Sequence, residues 1–178
     1  AGLADVESAT KSKNKKLDQT AIAIVKANED GWWVADIVHG RWDIKKTARK
    51  IFEAVNAYQP VAVGIEKGAL RNAVLPYLSD LMKSQQRFFR VEELTHGNKK
   101  KTDRVVWALQ GRFEHGQITL NEGDWNPAFL DELFQFPNAL VHDDLVDALA
   151  YIDQLAKVAY YYDYEEDDFE ILDPVAGY

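Results

Sequence analysis

Asp143, Asp144 and Asp147 fall within one short run, His142-Asp143-Asp144-Leu145-Val146-Asp147-Ala148-Leu149-Ala150-Tyr151, that turns from acidic to apolar. Asp144 and Asp147 are three positions apart, so a helix starting here presents both on one face, with Leu145, Leu149 and Ile152 directed towards a core. Neighbouring carboxylates repel unless a cation stands between them, and hard oxygen ligands suit Mg²⁺ or Mn²⁺. A second reading stays open for this segment: acids favour the positive end of a helix, and Asp143 suits an N-cap.

Two further acids close apolar runs. Ala1-Gly2-Leu3-Ala4-Asp5 reads as a first strand ending in a carboxylate, and Val61-Ala62-Val63-Gly64-Ile65 is a continuous apolar run, the mark of a buried strand, ending in Glu66. If these strands are neighbours, Asp5 and Glu66 project at one edge of a sheet. A helix from about Asp143 could lay Asp144 and Asp147 against that edge, with Ala148 and Ala150 small enough for close approach. Four acids gathered from three segments cannot all stay ionised in a partly desolvated place without a cation. Two Mg²⁺ ions roughly 3.5–4 Å apart would relieve the repulsion, activate a water and stabilise the leaving oxygen of a phosphodiester.

The elements that must position these acids follow from periodicity. Residues 7–17 form a polar, lysine-rich loop. Thr20 to Val25 is rich in β-formers, Asn28-Glu29-Asp30-Gly31 is a turn, and Trp32 to His39 supplies the other strand of a hairpin. Ile44, Thr47, Ala48, Ile51, Phe52 and Val55 recur at helical spacing to about Tyr58, and Pro60 ends that helix. A second helical stretch follows Glu66, with Pro76 expected to begin a new helix rather than interrupt one. Phe88 to Val91 reads as a strand, Thr102 to His115 as a helix closed by Gly116, and Gln117 to Leu120 as a short strand. Phe129, Leu130, Leu133 and Phe134 support a small helix before Pro137, and the last helix runs from about Asp143 to Val158. The alternation predicts an α/β fold, a mixed central β-sheet flanked by helices, with a site at the strand ends.

Composition bounds the function. The chain of 178 residues is expected to hold one domain, residues 1–158, with an acidic tail at 159–178. It has no cysteine, which excludes disulfides and thiolate metal sites and fits a reducing cytosol. No apolar run approaches the roughly 20 residues that span a bilayer, and nothing at the start resembles a signal peptide. Beginning at Ala1, the sequence is expected to be a piece of a longer chain or a processed form.

The formal charge of −8 argues against a nucleic-acid partner until it is mapped. Asp163, Glu165, Glu166, Asp167, Asp168, Glu170 and Asp173 crowd the tail without any Lys or Arg among them, which leaves the rest close to neutral. Such a block reads as solvating sequence, as a docking segment, or as a cover over the basic surface that competes with phosphate. Cations are bunched elsewhere: Lys11, Lys13, Lys15 and Lys16 in one stretch, Lys99, Lys100, Lys101 and Arg104 in another, both suited to holding phosphates without reading sequence. The five tryptophans are scattered and read as packing residues rather than a base-stacking platform.

Taken in order, Asp5, the lysine-rich loop, Asp18-Gln19-Thr20-Ala21-Ile22, Gly64-Ile65-Glu66, Lys101-Thr102-Asp103-Arg104, Gly116-Gln117-Ile118, Phe136-Pro137 and the closing His142-to-Leu149 run resemble the nuclease domain of tailed-bacteriophage large terminase subunits. The likeness covers roughly residues 2 to 157. It implies an RNase H-like fold and a metal-dependent endonuclease that cuts concatemeric viral double-stranded DNA in the host cell cytoplasm. It assigns Asp5, Glu66 and Asp144 as catalytic metal-binding acids for two divalent cations, with Asp147 a further ligand or close neighbour. Asp18, Asp143 and His142 would stand around them. Implied partners are the ATPase half of the same large subunit, the small terminase subunit and the portal.

Neither Lys11-Ser12 nor Lys101-Thr102 is preceded by the glycines of a phosphate loop, so the motor half is expected to be absent. Two rival functions share the layout: a Holliday-junction resolvase-type nuclease, and a non-catalytic protein-binding domain of the same fold.

Overall fold

The computed structural model describes residues 19–95 and 97–158. The expected first strand with Asp5, the loop carrying Lys11, Lys13, Lys15 and Lys16, Asp18 and the tail at 159–178 lie outside them. Along the chain come β1 (Thr20–Asn28), β2 (Gly31–Gly40), α1 (Ile44–Tyr58), β3 (Val63–Glu66), α2 (Ala69–Ser84), β4 (Val91–Leu94), α3 (Lys101–Glu114), β5 (Ile118–Leu120), α4 (Asn126–Gln135) and α5 (Asp144–Ala150). After a turn at Tyr151, residues 152–158 are again helical.

The hairpin forms because its turn supplies its own acceptor. Asn28 Oδ1 takes the backbone N–H groups of Asp30 at 3.1 Å and Gly31 at 3.0 Å. At Gly31 the backbone has φ of 151°, and a Cβ there would stand 2.3 Å from the Gln117 carbonyl oxygen, so only glycine fits. β1 and β2 run antiparallel, and β5 lies parallel along the other side of β2. β3 and β4 form a parallel pair, in register from Val63 against Val91 to Glu66 against Leu94. Parallel and antiparallel pairing thus coexist, as a mixed sheet requires.

Strand alternation sets the two layers. Ala21, Ala23, Val25 and Ala27 of β1 face a core of Trp32, Val34, Val105, Leu109, Phe129, Leu145, Val146 and Leu149, which brings α3, α4 and α5 onto that side. Ile22 faces the opposite core, where Ala48, Ile51 and Phe52 of α1 meet Ile65 of β3 and Val74 and Leu78 of α2. No described helix is long and apolar enough to cross a membrane.

Two elements differ from expectation. Pro76 sits inside one continuous helix, α2. The helix survives because Val74 and Leu78 are fully buried on one side, while Pro76 and Asn72, whose carbonyl would otherwise be the partner four residues back, are on the exposed side. The fourth strand is shifted towards the C-terminus, to Val91–Leu94, and so includes Glu92 and Glu93. Those acids break the apolar pattern that marks a strand, but each has a cation: Glu93 meets Lys67 at 3.0 Å and Arg71 at 3.3 Å, and Glu92 pairs with Arg90.

The start of α5 is held from outside. Asp143 occupies the cap position, yet its side chain makes no capping bond. The N–H groups of Leu145 and Val146, which have no partner within the helix, donate instead to Glu132 Oε2 of α4, at 2.7 and 3.2 Å. Glu132 is 6% exposed. Burial pushes its carboxyl above the ordinary value, the two N–H bonds work to lower it, and the charges of Asp144 and Asp143 raise it again.

Glu132→Ala should therefore cost about 1–3 kcal/mol, the penalty for two buried donors left without an acceptor, measurable by urea denaturation. The charge has a separate signature. A carboxyl raised on folding contributes most below its unfolded pKa and loses that contribution as pH rises through its folded pKa. The stability of the wild type relative to Glu132→Gln should thus fall as pH rises above the ordinary glutamate pKa, about 4.3. A difference that does not change with pH in that direction would show that Glu132 is not strained by its burial.

Candidate active site

Glu66 ends β3, Asp144 opens α5, and Asp147 follows one turn later. All three line one cavity of about 680 Å³ together with Lys101, Ala148 and Tyr151. The cavity runs between β1 and β3, and among the described residues neither strand is paired on that side. The helical spacing read from sequence thus puts Asp144 and Asp147 on one face, and fully buried Leu145 and Leu149 on the other.

Each acid is held differently. Asp144 Oδ2 accepts the backbone N–H of Gln19 at 3.2 Å, which ties α5 to the start of β1, and His142 Nδ1 lies 3.5 Å from the same oxygen. Asp143 receives Lys101 Nζ at 2.7 Å. Asp147 is buried, with Arg104 Nη2 at 2.5 Å on one oxygen and Lys101 Nζ at 3.4 Å on the other. Burial works to lower the Lys101 ammonium, but the bond to Asp143 and the charges of Asp147 and Asp143 outweigh it and hold the pKa above its ordinary value. The Arg104 guanidinium also stacks on Tyr151, 3.9 Å from the ring centre.

The basic cluster at the head of α3 therefore divides. Lys101 and Arg104 turn inward to the acids, whereas Lys99 and Lys100 are exposed. Lys99 Nζ stands 5.0 Å over the ring of Trp107, which is 76% exposed. Of the scattered tryptophans, read from sequence as packing residues, Trp32 and Trp125 lie in the core and Trp107 lies on the surface. The residues missed from sequence are Glu132 and Tyr151. The one signal was position: Tyr151 falls one turn beyond Asp147, on the same helical face.

The donor set suits a hard divalent cation, because the groups converging on the cleft are carboxylate oxygens. The described residues contribute acids from two segments, and among them no three His, Asp or Glu side chains gather closely enough to hold a metal ion. Asp5, Asp18 and the lysines at 11, 13, 15 and 16 lie outside the described residues.

Comparison with known proteins gives a family. A model described as terminase RNaseH-like domain matches residues 8–154. Among solved structures, Thermus thermophilus RuvC is similar at 14% identity, covering 82% of this chain and 90% of that one, with a TM-score of 0.42. No curated protein matches the chain.

The Arg104–Asp147 pair gives a stability test. Arg104→Met should cost roughly 3 kcal/mol, because it withdraws the guanidinium from a buried carboxylate. Adding Asp147→Asn should recover part of that loss, since the two side chains act as a unit. Strictly additive losses in chemical denaturation would show that they do not.

Proposed function

The chain belongs to the terminase RNase H-like domain family, and from that premise we propose that it is a divalent-metal-dependent endonuclease that cuts concatemeric viral double-stranded DNA during genome packaging. The observation that carries this reading is the convergence of Glu66 and Asp144, from a strand end and a helix start far apart in sequence, on one cleft.

Glu66, Asp144 and Asp5 would hold two Mg²⁺ or Mn²⁺ ions, with Asp147 a further ligand or close neighbour and Asp18, Asp143 and His142 around them. When bound, the ions supply an acidified water and charge to offset the developing negative charge on the scissile phosphate. Asp5 precedes the residues matched by the family model, and its role rests on the sequence reading.

The chain's own residues do the remaining work. Asp144 is steadied by the Gln19 N–H. Lys101 and Arg104 keep Asp143 and Asp147 in place and offset their repulsion. Exposed Lys99 and Lys100, with Lys11, Lys13, Lys15 and Lys16, would hold the phosphate backbone. The same reading assigns the ATPase half of the large subunit, the small terminase subunit and the portal as partners, in the host cell cytoplasm.

Plasmid DNA should be nicked or linearised with Mn²⁺ or Mg²⁺ and left intact in EDTA. Asp144→Asn and Glu66→Gln should each lower the rate by about 100-fold or more while the fold is kept, since each weakens a proposed metal ligand with little change in volume. Undiminished cutting in chelator, or near-normal cutting by both variants, would overturn the reading.

Binding offers a second measurement. Lys99→Ala with Lys100→Ala should weaken affinity equally for all sequences. It should also reduce the slope of log K against log salt by about 2, one counterion per lost phosphate contact. An unchanged slope would return both lysines to the solvated surface.

A further inference from the structure

Tyr151 belongs to the cleft without belonging to the acid motif. It is 7% exposed, sits at the C-terminal cap of α5, and lines the cavity with Glu66, Asp144 and Asp147. Its backbone N–H donates to the Asp147 carbonyl at 3.2 Å, which continues the helix from the acids to the ring. The Arg104 guanidinium lies over that ring, 3.9 Å from its centre, and bonds Asp147 as well. The Tyr151 hydroxyl is hydrogen-bonded to Glu66.

We propose that Tyr151 is a positioning residue: its hydroxyl fixes the Glu66 carboxylate in the cleft shared with Asp144, and its ring supports the Arg104 guanidinium that sets Asp147. The inference rests on the metal-dependent reading above and extends it to a residue outside the acid set. The direction of the bond follows from the groups themselves: a phenol O–H donates and a carboxylate oxygen accepts. A strand-end glutamate has three rotatable side-chain torsions, and a donated bond from a buried, stacked ring removes much of that freedom before any cation arrives. Groups that orient metal ligands in this way typically change metal affinity by about 10–100-fold.

Tyr151→Phe isolates the hydroxyl, because the ring and its stacking on Arg104 remain. Isothermal calorimetry should show Mn²⁺ affinity falling by about 10-fold or more relative to wild type, with the thermal midpoint little changed. In cleavage assays the half-saturating Mn²⁺ concentration should rise correspondingly, while the rate at saturating metal falls less, a split that a merely structural role would not produce. Unchanged affinity and unchanged half-saturation in the variant would overturn the proposal.

A crystal structure of metal-free Tyr151→Phe asks the same question without metal. A displaced Glu66 carboxylate supports the positioning role, and an identical Glu66 conformation overturns it. If the wild type fails to cut DNA, the nuclease reading falls, and the structural comparison still decides the role of Tyr151.

Discussion

Repulsion among the carboxylates at the head of α5 is the constraint around which this fold is arranged. Asp143, Asp144 and Asp147 fall within five consecutive positions, and Glu132 is packed against the same helix start. Two like charges about 4 Å apart cost on the order of 4 kcal/mol at an effective dielectric of 20, a large fraction of a domain's net stability. Each acid therefore has its own compensation. Lys101 serves Asp143, Arg104 and Lys101 serve Asp147, the Gln19 N–H meets Asp144, and the free N–H groups of the helix itself meet Glu132. The positive end of α5 adds to all four, though it contributes less than the specific partners.

This compensation couples elements that apolar packing alone would leave free to slide. The interface of α3 with α5 is built from Val105, Leu109, Leu145, Val146 and Leu149, and a smooth apolar seam of that kind tolerates small shifts in register. Lys101 and Arg104 remove the ambiguity, since only one register brings both to Asp143 and Asp147. Farther along, Arg112 of α3 bonds Asp153 at 2.8 Å, and Gln154 accepts the Thr95 N–H at 3.0 Å just after β4. The helical residues beyond Tyr151 thus anchor to both the helix layer and the second strand pair. Apolar burial supplies most of the stabilisation, and the charges select the arrangement.

Much of this could be read from the sequence, for identifiable reasons. α1 was legible because its apolar positions keep strict helical spacing; the structure adds Asp43 as its cap, accepting the Lys46 N–H at 2.7 Å. The hairpin was legible because Asn28 and Gly31 determine the turn locally. Glu66 and Asp144 were legible because each stands at the end or start of a strongly patterned element, and Asp147 because it follows Asp144 at helical spacing. What could not be read depends on partners distant in sequence. β4 carries two acids that look unlike a strand until Lys67, Arg71 and Arg90 are brought to them. Glu132 reads as an ordinary exposed helix residue until α5 docks against it. Lys101 and Arg104 read as surface cations, and only tertiary packing shows that they face inward.

The inward turn of Lys101 and Arg104 changes how the basic cluster is understood. Four cations close together suggest one uniform phosphate-binding patch, but two of them are engaged by buried or half-buried carboxylates before any ligand is present. They raise the local potential at the mouth of the cleft without being free to follow a phosphate backbone. Exposed Lys99 and Lys100, beside the open ring of Trp107, keep that freedom. A short segment leading into α3 therefore separates two tasks by side-chain direction alone. Residues on one face hold the acids apart at a fixed spacing, and residues just before them remain available to a polyanion. The boundary falls at the first turn of α3, where the chain passes from loop to helix.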